Sequence, residues 1–67
     1  MSFTVVEKDS NGLTSIDSFK EEHEAFEFFD GLLDYFKDSL TLEEIAVILQ
    51  IRKFTNGNYS IEMVETV

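Results

Sequence analysis

The stretch that decides the fold is residues 18–40, SFKEEHEAFEFFDGLLDYFKDSL, which contains six of the nine aromatic residues of the chain. Its main apolar residues recur at spacings of seven, three, four, three and four, which is the period of one helical face. They are Phe19, Phe26, Phe29, Leu33, Phe36 and Leu40. The spacing predicts one continuous helix over residues 18–38, unbroken at Gly31. Ser18, followed three residues later by Glu21, predicts a capping box at the start of this helix.

A predicted β-hairpin precedes the helix. Its strands are residues 3–8 and 13–16, and between them lies Asp9-Ser10-Asn11-Gly12, a run of turn-forming residues. A second hairpin is predicted after the helix. The resulting order is ββαββ, which in its simplest form is an antiparallel sheet with one long amphipathic helix packed on one face. We therefore expect a small α+β protein with a single domain over residues 1–67.

The second predicted hairpin comes from residues 45–63, which carry apolar residues at alternate positions on both sides of Thr55-Asn56-Gly57. A two-residue turn at Asn56-Gly57 would mix apolar and charged side chains on both faces of the hairpin. A three-residue turn with Gly57 at positive φ separates them and is therefore favoured. The cross-strand pairs expected in that register are Ile51 with Ile61 and Leu49 with Met63.

Residues 41–50 also fit a helix. Thr41 and Glu44 have the spacing of a capping box, and several apolar residues would share one face of such a helix. These residues are Leu42, Ile45, Ala46 and Leu49. The abundance of β-branched side chains in this stretch favours the strand instead. If the helix formed, the last hairpin would become a wing beside a helix-turn-helix-like pair.

Composition excludes several classes of function. The chain has 67 residues, five Lys and Arg against 14 Asp and Glu, and a net charge of −9, so it has too few bases to neutralise several phosphates of a nucleic acid. It has no Cys, which excludes disulfides and thiol nucleophiles and favours the cytoplasm. We expect no export signal, because the first residues lack a basic flank and a long apolar run, and no membrane segment.

The predicted helix carries most of the charge. Residues 18–38 contain seven acidic residues against two lysines, a net charge of −5. At 100° per residue, five of these carboxylates share a sector of roughly 120°. This acidic ridge consists of Glu24, Glu27, Asp30, Asp34 and Asp38. Such a row could imitate a phosphate backbone and block the groove of a basic nucleic-acid-binding protein, although a solvated charged face is the simpler interpretation.

The apolar arc of the helix is wider than one sheet needs. It covers roughly 200°, whereas a helix packed on one sheet needs little more than about 100°. The surplus is an aromatic flank, made of Phe28, Gly31, Leu32 and Tyr35. Exposed aromatic patches on small proteins mark interaction sites, so we expect this flank to bind a partner protein or a second copy in a homodimer. Coverage by the chain itself is the competing interpretation.

Catalytic chemistry has little support. The only imidazole is His23, and Glu27, Asp30 and Asp34 share its helical face. A metal-dependent role centred on His23 is an alternative, but one straight helix seldom supplies more than two ligands to one ion. We therefore expect a non-enzymatic protein-interaction module, a regulator or inhibitor that binds through its helix and uses no cofactor. The nucleic-acid mimic is the leading alternative.

Overall fold

The computed structural model describes residues 2–66. Four antiparallel strands form one open sheet in the order β2-β1-β4-β3, and the helices join its two halves. The elements are β1 (Ser2–Lys8), β2 (Thr14–Phe19), α1 (Glu22–Leu33), a 3-10 helix (Asp34–Ser39), α2 (Leu42–Ile51), β3 (Lys53–Asn56) and β4 (Tyr59–Thr66). The predicted α+β fold with a long helix on an antiparallel sheet is confirmed, and the first hairpin forms as expected.

The predicted start of the long helix was wrong. Ser18 and Phe19 belong to β2, where Phe19 pairs with Phe3, and α1 begins only after Glu21. The expected capping box is absent, because Ser18 is still in the strand and Glu21 makes no side-chain hydrogen bond to the helix end. The ring of Phe19 instead packs on that of Phe28, with centroids 5.4 Å apart. Cross-strand pairing therefore outweighed the helical spacing at this residue.

The helix continues through Gly31, as predicted, but changes type after Leu33. Asp34–Ser39 is a 3-10 helix, which has three residues per turn instead of 3.6. Phe36 there packs against Phe54 and Tyr59, with ring centroids 5.1 Å and 4.8 Å apart. The helical stretch is thus continuous from residue 22 to residue 39, and its last turns are fastened to the β3–β4 hairpin.

The predicted strand over residues 45–51 was wrong, and the alternative helix is what forms. Both hydrogen bonds of the capping box are present: the Thr41 amide donates to the Glu44 carboxylate (2.9 Å), and the Glu44 amide donates to the Thr41 hydroxyl (3.1 Å). This local signal outweighed the β-branched side chains. The helix ends at Arg52, whose backbone is left-handed with φ of 60°, and β3 begins at the next residue.

The predicted register of the second hairpin was consequently wrong. Ile61 pairs with Phe54, not with Ile51, because α2 has removed Ile51 from the sheet. The Leu49–Met63 pair is lost for the same reason. Asn56 pairs with Tyr59, so the turn is a two-residue Gly57-Asn58 turn, and the positive φ predicted for Gly57 is confirmed at 61°. β4 is no wing, since it pairs with β1 in the middle of the sheet.

The core lies between the helices and one face of the sheet. Ala25, Phe29 and Leu33 on α1 are fully buried, at the spacing of four that places them on one face. They meet buried residues from β1, β4, α2 and β3. These are Phe3, Val5, Ile48, Phe54, Ile61 and Met63. Burial of side chains this large contributes about 1.5–3 kcal/mol each, so this layer dominates the stability.

The opposite face of the sheet is covered by no other part of residues 2–66. Alternation along the strands places 13 residues on this outer sheet face. They are Ser2, Thr4, Val6, Lys8, Thr14, Ile16, Ser18, Lys53, Thr55, Ser60, Glu62, Val64 and Thr66. Only three of them carry charge: Lys8, Lys53 and Glu62. The formal charge of this face is therefore +1, in a chain of net charge −9.

Candidate functional site

The aromatic flank is divided between the core and the surface. Leu32 is half-buried and packs against the core, so part of the surplus apolar area is used within the chain. Phe28 is 38% exposed and Tyr35 is 84% exposed. Gly31 is exposed, and a Cβ built on it would meet no atom within 4 Å. Phe28 and Tyr35 therefore stay available at the surface, two helical turns apart.

The strand below this flank is largely uncovered. Ser15, Asp17 and Phe19 pair with Glu7, Val5 and Phe3, and they share the side of the sheet on which α1 lies. Nevertheless every residue from Thr14 to Ser18 is exposed. α1 thus lies over β1 and β4 and reaches β2 mainly at Phe19. We call the exposed residues Ser15, Asp17, Phe28 and Tyr35 together the β2 surface.

The charge around the β2 surface is negative. Glu24 precedes Phe28 by four residues in α1, and Asp38 follows Tyr35 by three residues in the 3-10 helix, so each acid lies one turn from an aromatic residue. Asp17 lies on the strand side. Within residues 2–66, these three carboxylates take part in no salt bridge. The surface therefore combines exposed rings with carboxylates that have no neutralising partner.

A part-buried hydrogen bond lies on β1 and β4, next to the turn end of β2. The Tyr59 hydroxyl donates to the Glu7 carboxylate over 2.6 Å. Burial raises the pKa of Tyr59 well above its usual range, and the bond to Glu7 adds to the effect. Tyr35 directly precedes Phe36, whose ring centroid lies 4.8 Å from that of Tyr59. Because Glu7 pairs with Ser15 of β2, Tyr35 lies towards the turn end of that strand.

The acidic ridge contains a cation that sequence reasoning missed. The ammonium of Lys37 lies 2.8 Å from a carboxylate oxygen of Asp30 and 2.7 Å from one of Asp34. Its hydrogen bonds to Asp30 and then to Asp34 raise the pKa of Lys37. Lys37 follows Asp34 by three residues and Asp30 by seven, so the sequence could have shown that all three lie on one side of the helix. Glu24, Glu27 and Asp38 are exposed carboxylates at the two ends of the ridge.

His23 lies at a shallow pocket on another side of α1. The pocket is lined by Glu22, His23, Phe26, Glu27 and Arg52. Arg52 donates to the Glu22 carboxylate over 3.0 Å and lies 6.0 Å from the centre of the Phe26 ring. Over residues 2–66, His, Asp and Glu form no group of three or more that could hold a metal ion. The proposed partners of His23 thus do not converge on one point.

Apolar side chains are also exposed outside the predicted site. Leu42, Val47 and Ile51 of α2 are exposed; Val47 and Ile51 lie one turn apart on the same face, and Leu42, which is 86% exposed, lies on another. On the outer sheet face, Ile16 is 66% exposed and lies beside the half-buried Val6. Sequence reasoning missed both groups because it assigned α2 to the sheet and could not decide which strand lay at an edge.

Comparison of the chain with protein-family models, curated proteins and solved structures found no match. No helix within residues 2–66 is long and apolar enough to cross a membrane.

Proposed function

We propose that this chain is a small, non-enzymatic protein-binding module that acts in the cytoplasm as a regulator or inhibitor of its partner. The binding site is the β2 surface. The observation that carries the proposal is that Phe28 and Tyr35 stay exposed while β2, which Phe28 contacts at Phe19, is exposed from Thr14 to Ser18. Aromatic rings at an otherwise polar surface are enriched in protein interfaces, because they contribute a large contact area at a small entropic cost.

The partner should be basic where it meets this surface. Glu24 and Asp38 each lie one turn from one of the two rings, Asp17 lies on β2, and all three lack salt-bridge partners among residues 2–66. A lysine or arginine side chain could bind these carboxylates and cover the rings with its aliphatic stem. A second copy of the chain would bring the same three acids against each other. The homodimer is therefore less well supported than a complex with a different, basic protein.

The alternative of a nucleic-acid mimic has weaker support. Lys37 binds both Asp30 and Asp34, so the centre of the acidic ridge is partly neutralised. A phosphate-like row would need unbroken negative charge along its length. A basic nucleic-acid-binding protein can still be the partner, bound at the β2 surface instead of along the ridge.

The test uses a partner captured from the host and compares variants of the chain. Tyr35→Ser removes an exposed ring of the β2 surface, and Leu42→Ser is the matched control, because Leu42 is equally exposed but lies on α2. We expect Tyr35→Ser to weaken capture and Leu42→Ser and Gly31→Ala to preserve it, with all three chains folded by circular dichroism. Capture that withstands Tyr35→Ser but is lost with Glu27→Lys and at high salt would replace this proposal with the mimic.

A further inference from the structure

The outer edge of β2 offers unused backbone hydrogen-bonding groups in a known order. The Asp9 amide donates to the Leu13 carbonyl over 2.9 Å and the Leu13 amide to the Asp9 carboxylate over 3.0 Å, so these two residues face each other at a hydrogen-bonded position of the hairpin. Such pairs alternate along an antiparallel ladder. Ser15, Asp17 and Phe19 therefore direct their amides and carbonyls to β1. The amides and carbonyls of Thr14, Ile16 and Ser18 point away from the sheet.

This edge has little of the usual protection against strand pairing. The sheet order leaves β2 with one neighbour, and the chain contains no Pro that would block an amide. The single charge within the strand, Asp17, points to the helix side, where it opposes pairing with any strand that brings no cation against it. The opposite edge strand, β3, has only four residues and directly follows α2. β2 is thus the longer and more open edge.

The two sides of β2 select different side chains in an added strand. On the helix side, a neighbouring side chain would meet Asp17 two residues from Phe19, on which the exposed Phe28 ring packs, an environment for lysine or arginine. On the outer sheet face it would meet Ile16, which is 66% exposed and favours an aliphatic neighbour. Successive residues of a strand point to opposite faces. The edge therefore suits a segment in which basic and aliphatic residues alternate.

We propose that β2 accepts an extended segment of a partner protein, with alternating basic and aliphatic residues, as a fifth antiparallel strand. The inference rests on the proposed function, since it names how a partner would occupy the β2 surface. In this arrangement the aliphatic residues lie opposite Thr14, Ile16 and Ser18, and their amides and carbonyls bond to those residues. The basic residues point to the helix side and reach Asp17, Glu24 and Asp38.

The decisive experiment uses a capped peptide of sequence Val-Lys-Val-Lys-Val-Lys-Val as the probe. Its binding is followed by nuclear magnetic resonance and by amide hydrogen exchange, residue by residue. In the free protein the amides of Thr14, Ile16 and Ser18 should exchange quickly, and those of Ser15 and Asp17 slowly. The peptide should slow exchange at the first three by about tenfold or more. Binding that leaves these three amides unprotected would refute strand addition and indicate charge attraction alone.

Two N-methylated peptides supply the matched control. Methylation of three of the four valine amides blocks the edge of the peptide that would bond to β2, and methylation of the three lysine amides blocks only the opposite edge. Both have the same charge and composition. We expect the first to bind at least about tenfold more weakly than the second, the cost of losing several backbone hydrogen bonds. Equal binding of the two peptides would overturn the proposal.

Protein variants separate this inference from the proposed function. Ile16→Pro removes an outward amide but no bond to β1, and Ile16→Ala controls for the lost side chain. We expect Ile16→Pro to bind the unmethylated peptide about tenfold more weakly than Ile16→Ala. If only Tyr35→Ser loses peptide binding, the β2 surface remains the binding site and strand addition is refuted. Loss in Ile16→Pro alone would retain strand addition and refute the aromatic contribution. Should Ile16→Pro not fold, the methylated peptides decide.

Discussion

Arg52 makes the connection between α2 and β3 in a single residue, and its conformation has a measurable cost. Its backbone is left-handed, with φ of 60° and ψ of 40°. For a residue with a Cβ this conformation costs about 1–2 kcal/mol, which Gly avoids. Gly loses about 0.5–1 kcal/mol more backbone entropy on folding. Arg52→Gly should therefore be more stable than Arg52→Ala by about 0.5–1 kcal/mol.

The comparison of these two variants removes the side-chain contribution. Both lose the salt bridge to Glu22 and the contact with Phe26, so those losses cancel. Gln50 is the control, because it is exposed within α2, where Ala should exceed Gly by about 1 kcal/mol. Urea denaturation followed by circular dichroism would measure the free energy of unfolding of Arg52→Gly, Arg52→Ala, Gln50→Gly and Gln50→Ala. If Arg52→Ala equals or exceeds Arg52→Gly in stability, α2 does not end in a left-handed residue in solution.

Three further outcomes are expected. The stability that Tyr59 contributes should be fully present below its ordinary pKa of 10.0 and decline as pH rises above it, because the folded pKa is raised. In a comparison of denaturation midpoints against pH, Tyr59→Phe should reduce the alkaline decline, and the rest should come from Lys37, whose pKa is also raised. Gly57→Val should destabilise the fold by about 1 kcal/mol or more through backbone strain alone, since a Cβ there meets nothing within 4 Å. Gly31→Ala should instead stabilise the helix by about 1 kcal/mol. Equal effects of the two substitutions on the melting temperature would contradict the φ values assigned to these glycines. The melting temperature should rise from low to physiological salt, because screening weakens the repulsion within a chain of charge −9; a fall would show that specific ion pairs dominate.

Local patterns predicted some elements well. The apolar spacing found the helix that the structure places from residue 22 to residue 39, and the turn residues found the first hairpin. The capping box of Thr41 and Glu44 was visible in the sequence, but the β-branched residues that follow it gave a competing signal. Helix capping and strand propensity contribute free energies of similar size, so the sequence alone left both the helix and the strand open.

The remaining errors came from contacts that no local pattern contains. Phe19 fits the helical face by spacing, yet it pairs with Phe3 in the sheet, and this depends on where β1 lies. The β2 surface likewise exists because α1 lies over the middle of the sheet. The sequence predicted Phe28 and Tyr35 as members of an aromatic flank but could not show that no helix would cover β2. Edge position is a property of the assembled sheet.

The outer sheet face has a consequence for how the molecule approaches a charged partner. With a formal charge of +1 on that face, the other residues of the chain carry −10. Such a separation gives the molecule an electric dipole directed across the thickness of the sheet. A basic surface would turn it in solution so that the helix side arrives first, before any atoms touch, and would raise the association rate at low ionic strength. Exchanging Lys8 and Lys53 for glutamate would weaken this orientation while leaving the β2 surface intact.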